Sequence, residues 1–237
     1  MNNHYLNQEY SFEKVPKNIV KKNSCCSPWL KFFNQQSAEH QIFSLKQNDV
    51  LIFDVNSTLY IILEGCLIVK KVFRNRKKIT LNILNSEDTF GHTQFASSRF
   101  YYEVEAIDIA QIVSIKYSII INICLNHRKF SVFLVDHLLL CSIKANRFIE
   151  IISHKSITNR LVSLLLLLSE HNGISQSNGI LLNLSITHRV LAQIIGSNRV
   201  SITRIMSELV QTKLISIQKK KVIIHDPILL SQRFANK

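Results

Sequence analysis

At Ser118 the spacing of apolar residues changes from that of strands to that of helices, and no purely helical or purely β fold accommodates both parts of the chain. Before it, apolar residues come in short β-branched runs, at 50–53, 59–63, 66–72, 79–84, 101–107 and 110–115, divided by Asn, Ser, Glu and Asp. Runs of that length and make-up predict an antiparallel roll or sandwich, with Gly65 and Gly91 at reversals of the chain. After it, Leu134, Leu138, Cys141, Ala145, Phe148 and Ile152 step alternately by four and three residues, which predicts one long helix with Asn126 as its N-cap. About 27 helical residues span about 40 Å. That exceeds what a small β-unit needs as cover, so these six residues are read as a dimer seam. The alternative is an amphipathic helix packed on its own domain.

Residues 1–40 are polar and weakly periodic and read as a loosely attached arm holding at most one short helix, with Pro16 and Pro28 as breakers. The expected organisation is therefore an arm (1–40), a β-roll (41–118), a long helix (119–153) and a C-terminal unit (154–237). With 46% hydrophobic and 19% charged residues the chain has ample apolar surface for a core. Its longest apolar stretch, 161–168 interrupted by Ser163, falls well short of the ~20 residues a bilayer span needs, so no membrane span is expected and no membrane partner is assigned in the leading reading. Five cysteines (Cys25, Cys26, Cys66, Cys124, Cys141) lack the repeated spacing of a metal or cluster site and read as reduced thiols. The N-terminus resembles neither a secretory signal nor a transit peptide, and an intracellular location follows. Nothing matches H-E-x-x-H, G-x-S-x-G or a Walker loop, so no enzyme is expected and no cofactor or metal is assigned.

The net charge is +13, and residues 154–237 hold eleven basic against three acidic residues. A polyanionic partner suits that excess. The most informative segment lies there. In 187–210 two helical patterns flank Gly196, with the small Ala192 four residues earlier allowing a close crossing. Ser197 and Asn198 can cap the second helix. On it Ile202, Ile205, Met206 and Leu209 share one face, while Arg199, Val200, Thr203, Arg204 and Ser207 share the other. That outward face suits a DNA major groove: Arg199 can fork onto guanine, Val200 can meet a thymine methyl, and Arg204, Thr203 and Ser207 can reach bases or phosphates. The competing reading is a helical hairpin with a solvated polar face. Two further strand-like runs, 214–218 and 222–225, are joined by Lys219, Lys220 and Lys221, a basic tip that a phosphate backbone would neutralise.

The order β-roll, seam helix, winged helix-turn-helix resembles the Crp/Fnr family of bacterial transcription regulators. The dense matches are Asn159-Arg-Leu-Val-Ser163, Ile195-Gly-Ser-Asn-Arg-Val-Ser-Ile-Thr-Arg204 and Ile215-Ser-Ile-Gln-Lys-Lys-Lys-Val-Ile-Ile-His225, with looser ones at Leu63-Glu-Gly65 and Phe90-Gly91. They are most similar to the NtcA-like, nitrogen-controlling branch of cyanobacteria and red-algal plastids. The resemblance implies an α+β fold with an N-terminal antiparallel β-roll of the cyclic-nucleotide-binding type, a dimerisation helix and a C-terminal winged helix-turn-helix. It also implies a homodimer on palindromic double-stranded DNA with half-sites of GTA and TAC type, contact with RNA polymerase, and a bacterial cytoplasm or plastid stroma. The Gly-Glu…Arg-Ser-Ala phosphate loop of cyclic-nucleotide binders is replaced by Phe90-Gly-His-Thr-Gln-Phe95, which argues against cyclic AMP. For 2-oxoglutarate the resemblance places Phe90, Gly91, His92, Thr93 and Arg99 in the effector site. The helix positions that supply an arginine and a glutamate in that branch are here Ser142 and Arg147, with Lys144 or Arg147 as substitutes. A regulator that needs no ligand is the first alternative, and a peripheral membrane or interaction protein that uses the basic surface is the second.

Overall fold

The computed structural model describes residues 27–53, 57–91 and 99–235. His92, Thr93, Cys25 and Cys26 lie outside the described residues. Helix α1 (Pro28–Gln35) leads into strands β1 (His40–Leu45), β2 (Val50–Phe53), β3 (Thr58–Glu64), β4 (Leu67–Phe73), β5 (Lys78–Leu84), β6 (Thr89–Phe90), β7 (Phe100–Ala106) and β8 (Ala110–Lys116). Helices α2 (Tyr117–Asn126), α3 (Arg128–Ser153) and α4 (Ile157–Asn172) follow. The C-terminal elements are β9 (Gly173–Gln176), β10 (Gly179–Leu182), α5 (His188–Ile194), α6 (Arg199–Gln211), β11 (Ile215–Gln218), β12 (Lys221–Ile224) and α7 (Pro227–Ala235).

The first eight strands form two antiparallel sheets, ordered β1-β8-β3-β6 and β2-β7-β4-β5. Between them lies a core that includes Phe53, Ile62, Leu67, Phe90, Val104 and Ile112. Strand β3 is covered on both faces: Ile62 points into that core, while Leu59, Ile61 and Leu63 meet α1, α2 and α3. Double coverage explains why β3 reads as an unbroken apolar run instead of an alternating one.

Helix α1 is a short helix of the kind expected in the arm, but it is packed into the core and not loosely attached. Pro28 starts this helix instead of breaking one, its fixed φ suiting the first helical position. Trp29 and Phe33 are wholly buried, and Trp29 packs edge-on against Phe133 and His137 with ring centroids 4.8 and 4.9 Å apart. The long helix expected behind Asn126 is α3, and the first part of the 119–153 span belongs to a separate helix, α2. His127 is extended (φ −133°, ψ 94°), ending α2 and starting α3. Asn126 does not cap α3, since its amide donates back to the Asn122 carbonyl at 2.8 Å.

Phe130, His137, Phe148 and Ile151 are the buried residues of α3, and they fix its rotation against the chain's own core. The predicted seam therefore falls on the flank. Phe148 is 2% exposed and faces inward, and Leu134, Cys141 and Ala145 are half-buried. Leu138 and Ile152 remain exposed. The apolar face left uncovered is Val132, Val135, Leu139, Ile143 and Ile149, each more than half exposed. It lies roughly a third of a turn from the predicted seam.

The C-terminal unit is a third sheet, β11-β12-β10-β9, with α4 to α7 around it. Its core is continuous with the outer side of the second β-roll sheet: Cys66, Ile68 and Ile83 join Phe148, Leu161, Leu165, Leu191 and Ile202 in one cluster. Polar ties cross the same boundary. Thr80 donates to the Gln193 carbonyl at 3.1 Å, and the almost fully buried Lys70 is shared between Glu105 and the Gln193 side chain.

Candidate nucleic-acid interface and effector crevice

Thr187 caps α5, its hydroxyl accepting from Val190 N at 3.2 Å. Asn198 caps α6 by accepting from Ser201 N at 2.8 Å; of the two candidate caps it is the one used, and the Ser197 hydroxyl is buried without a hydrogen-bond partner among the described residues. Between the helices Gly196 has φ +66° with nothing within 4 Å of a built Cβ, so glycine is required by backbone conformation and not by space. Arg160 braces this turn from α4, donating to the Ile195 carbonyl at 3.2 Å and to the His154 carbonyl at 2.7 Å. The sequence motif pointed at Arg160 without indicating that role.

Ile202, Ile205, Met206 and Leu209 hold α6 to the core. Arg199, Val200, Thr203, Arg204 and Ser207 all stand on its exposed side, with Val200 at 79% exposure. Neither Arg199 nor Arg204 has an ion-pair or side-chain hydrogen-bond partner among the described residues. Both guanidiniums are therefore available to an anion or a base edge. The two hydroxyls are less free. Thr203 Oγ1 donates to the Arg199 carbonyl at 2.9 Å, and Ser207 Oγ donates to the Thr203 carbonyl at 2.9 Å. In this arrangement they can accept from a base amino group but cannot donate to a phosphate. His188, which sequence reasoning passed over, lies 3.0 Å from the Thr203 hydroxyl.

In the wing, β11 and β12 pair from Ile215↔Ile224 to Gln218↔Lys221. That register leaves a two-residue turn, Lys219 and Lys220, with φ +47° and +64°. Two left-handed residues form the turn whose twist suits a hairpin, a place normally taken by Asn-Gly. Lys219 and Lys220 are exposed. Lys221 is not part of the tip: it is a strand residue whose ammonium donates to the Asn183 side chain.

Of the expected effector residues, His92 and Thr93 lie outside the described residues, and Phe90, Gly91 and Arg99 are placed as follows. Phe90 is buried and stacked on Tyr60, with centroids 4.8 Å apart. Gly91 (φ +96°) sits so close to β3 that a Cβ would lie 2.5 Å from the Thr58 carbonyl oxygen. Arg99 is at the start of β7, its carbonyl accepting from Arg74 N at 3.2 Å. A crevice of about 290 Å³ between the β-roll and α3 is lined by Asn82, Asp88, Thr89, Cys141, Ser142 and Lys144, among others. Across it Lys144 donates to Asp88 at 2.5 Å, and Asp88 also accepts from Asn85 N at 2.8 Å. Arg147 points elsewhere, paired with Glu170 at 2.7 Å in a solvent-exposed bridge. Burial pushes the thiols of Cys66, Cys124 and Cys141 up, so all three stay protonated at neutral pH. Among the described residues no group of three or more His, Cys, Asp or Glu could hold a metal ion, and no helix is long and apolar enough to cross a membrane.

Comparison with known proteins decides what this geometry serves. Residues 159–233 match the Crp-like helix-turn-helix domain. Over the full length of both chains the protein is 81% identical to a Porphyra purpurea protein named as an HTH-type transcriptional regulator, ycf28. The chain belongs to the Crp/Fnr family of transcription regulators. It is also 30% identical to the global nitrogen regulator of Synechocystis over 76% of this chain and 82% of that one. Among solved structures, a CRP-family regulator of Thermus thermophilus superposes with a TM-score of 0.67 at 18% identity, covering 81% of this chain and 96% of that one. FixK2 of Bradyrhizobium japonicum gives 0.68 at 14% identity, covering 82% and 96%. These likenesses carry the fold: antiparallel β-sheets, a long helix and a C-terminal helix-turn-helix. A Crp/Fnr protein of this kind is a DNA-binding transcription regulator and not an enzyme.

Proposed function

We propose that this Crp/Fnr regulator binds palindromic double-stranded DNA as a homodimer. One α6 enters the major groove of each half-site and Lys219 and Lys220 of each wing lie against the flanking backbone. The carrying observation is the exposed face of α6, where Arg199 and Arg204 stand uncompensated beside Val200. Two copies meet through the uncovered apolar residues of α3, Val132, Val135, Leu139, Ile143 and Ile149, which water would otherwise surround. The names of the cyanobacterial relatives support control of nitrogen-related genes. In this reading the dimer works at promoters alongside RNA polymerase, in a bacterial cytoplasm or plastid stroma.

For the effector, the response to 2-oxoglutarate and the ligand-independent mode make opposite demands on Lys144. A dicarboxylate seated between the β-roll and α3 needs cations, and Lys144 already holds the Asp88 carboxylate. That pairing favours the regulator that needs no ligand. Footprinting of the purified protein on genomic fragments, with and without 2-oxoglutarate, tests both parts. The expected result is symmetric protection at GTA…TAC-type palindromes, unchanged by millimolar 2-oxoglutarate. Absence of sequence-specific protection overturns the DNA-reading assignment, and protection appearing only with 2-oxoglutarate overturns the ligand-independent one.

A further inference from the structure

His188, the first residue of α5, faces α6 across the helix-turn-helix and makes one contact that determines its chemistry. Thr203 Oγ1 donates to the Arg199 carbonyl at 2.9 Å, and a hydroxyl has a single proton to give. His188 Nδ1 lies 3.0 Å from the same oxygen, so in this pair the ring nitrogen is the donor and the hydroxyl the acceptor. The proton of the neutral imidazole is thus committed to Nδ1. Nε2 then carries a bare lone pair, and it has no hydrogen-bond partner among the described residues. The ring is partly exposed on the side of the molecule that carries Arg199, Thr203 and Arg204.

We propose that His188 is a DNA-phosphate contact that takes up a proton as the complex forms. A phosphate oxygen only accepts hydrogen bonds, so it cannot meet the lone pair of neutral Nε2; it can meet the N–H of the imidazolium. In the free protein the neutral form is favoured, because partial burial and the adjacent Arg199 charge hold His188 below the usual histidine range. Arg199 is the charged group whose field reaches the ring from α6. A phosphate placed against both side chains reverses the balance by offsetting Arg199 and bonding Nε2–H. The ring's proton affinity therefore rises on binding, and by linkage DNA affinity rises as pH falls through the interval between the free and bound values. The Nδ1 bond to Thr203 keeps the ring in one orientation in both forms. A base amino group would be recognised differently: it would donate to neutral Nε2, with no proton taken up.

This proposal rests on α6 being the DNA-reading helix, and the test separates the two. Affinity for one palindromic duplex is measured from pH 6 to 8 at several salt concentrations for the wild type, His188→Gln and Arg199→Ala. One linked proton changes affinity by at most about tenfold per pH unit. The expected result is a wild-type affinity that increases toward pH 6, together with a salt dependence steeper at pH 6 than at pH 8 by close to one phosphate contact. His188→Gln should abolish both pH effects while still binding at pH 8. A merely structural role for His188 would weaken binding equally at every pH and leave the salt slope constant. That outcome, or a wild-type affinity flat with pH, overturns the proposal even where Arg199→Ala weakens binding. If Arg199→Ala binds as tightly and as selectively as wild type, the α6 reading itself fails. The wild-type salt series needs no variant, so the test survives any misfolding of His188→Gln.

Discussion

Lys144 of α3 reaches across the crevice to Asp88 in the turn before β6, and the two form an ion pair in which the carboxylate side chain is 3% exposed and the lysine 34%. The pair spans a sequence separation of 56 residues and ties the long helix to the β-roll. The unequal burial makes its two halves unequal in mutation. Lys144→Met strands a buried carboxylate with, among the described residues, only Asn85 N to bond it, and should cost several kcal/mol, near the range of about 3–5 kcal/mol for a broken buried pair. Asp88→Asn leaves a lysine that can turn to water and a side chain that still accepts from Asn85, and should cost less. Denaturant unfolding of the two variants checks the order.

In the proposed complex, Arg199→Ala removes the guanidinium nearest the start of α6 and should lower affinity for a palindromic target by about 1–3 kcal/mol while relaxing selection at one base pair of each half-site. Competition binding against single-base variants reads both effects. An equal loss on every sequence would place Arg199 on phosphate instead of a base.

The wing tip should separate stability from affinity. Lys219 and Lys220 both hold left-handed backbone angles, which an Asn-Gly pair adopts without strain. Replacing them by Asn and Gly is expected to raise unfolding stability by about 1 kcal/mol. The same change should weaken DNA binding on all sequences and flatten the salt dependence by nearly two contacts. Loss of stability in this variant would mean that the lysines make contacts beyond the turn.

Substitutions on α3 should sort by face. Leu139→Glu and Ile143→Glu alter exposed residues and, in the proposed homodimer, should separate the two copies with little loss of fold. Phe148→Ala opens the core and should cost about 3–5 kcal/mol without changing the subunit contact directly. Sedimentation and thermal unfolding, run side by side, distinguish the two effects. Dissociation by Phe148→Ala alone would restore the seam predicted from the heptad spacing.

Gly196→Ala meets open space but forces alanine to φ +66°. It should therefore cost about 1–2 kcal/mol of backbone strain and no more. A larger loss, measured by denaturant unfolding, would reveal crowding at the turn.

Much of the fold is legible in the sequence because it depends on local rules. Gly196, Ala192 and the two-faced pattern from Arg199 to Leu209 all lie in one short continuous stretch of the chain, and the strand runs at 50–53 and 79–84 carry their own periodicity. What escapes depends on rotation and distance. Cys141, Ala145 and Phe148 satisfy a heptad as well as any seam does, yet which side of a helix turns inward is decided by residues such as Phe130 and His137 meeting Trp29. Trp29 itself stands in a segment too short to show a period. The Asp88–Lys144 pair and the His188–Thr203 hydrogen bond join residues whose proximity no spacing along the chain announces.

The shared cluster in which Ile68 and Ile83 of the β-roll meet Leu161 and Leu191 has a consequence for how the molecule comes apart. Prising the reading head from its platform would wet greasy surface on both, so heating should produce one calorimetric peak, and a fragment cut near Ser153 should clump instead of floating free. Any signal that repositions the head must slide it along this joint, not swing it into solvent.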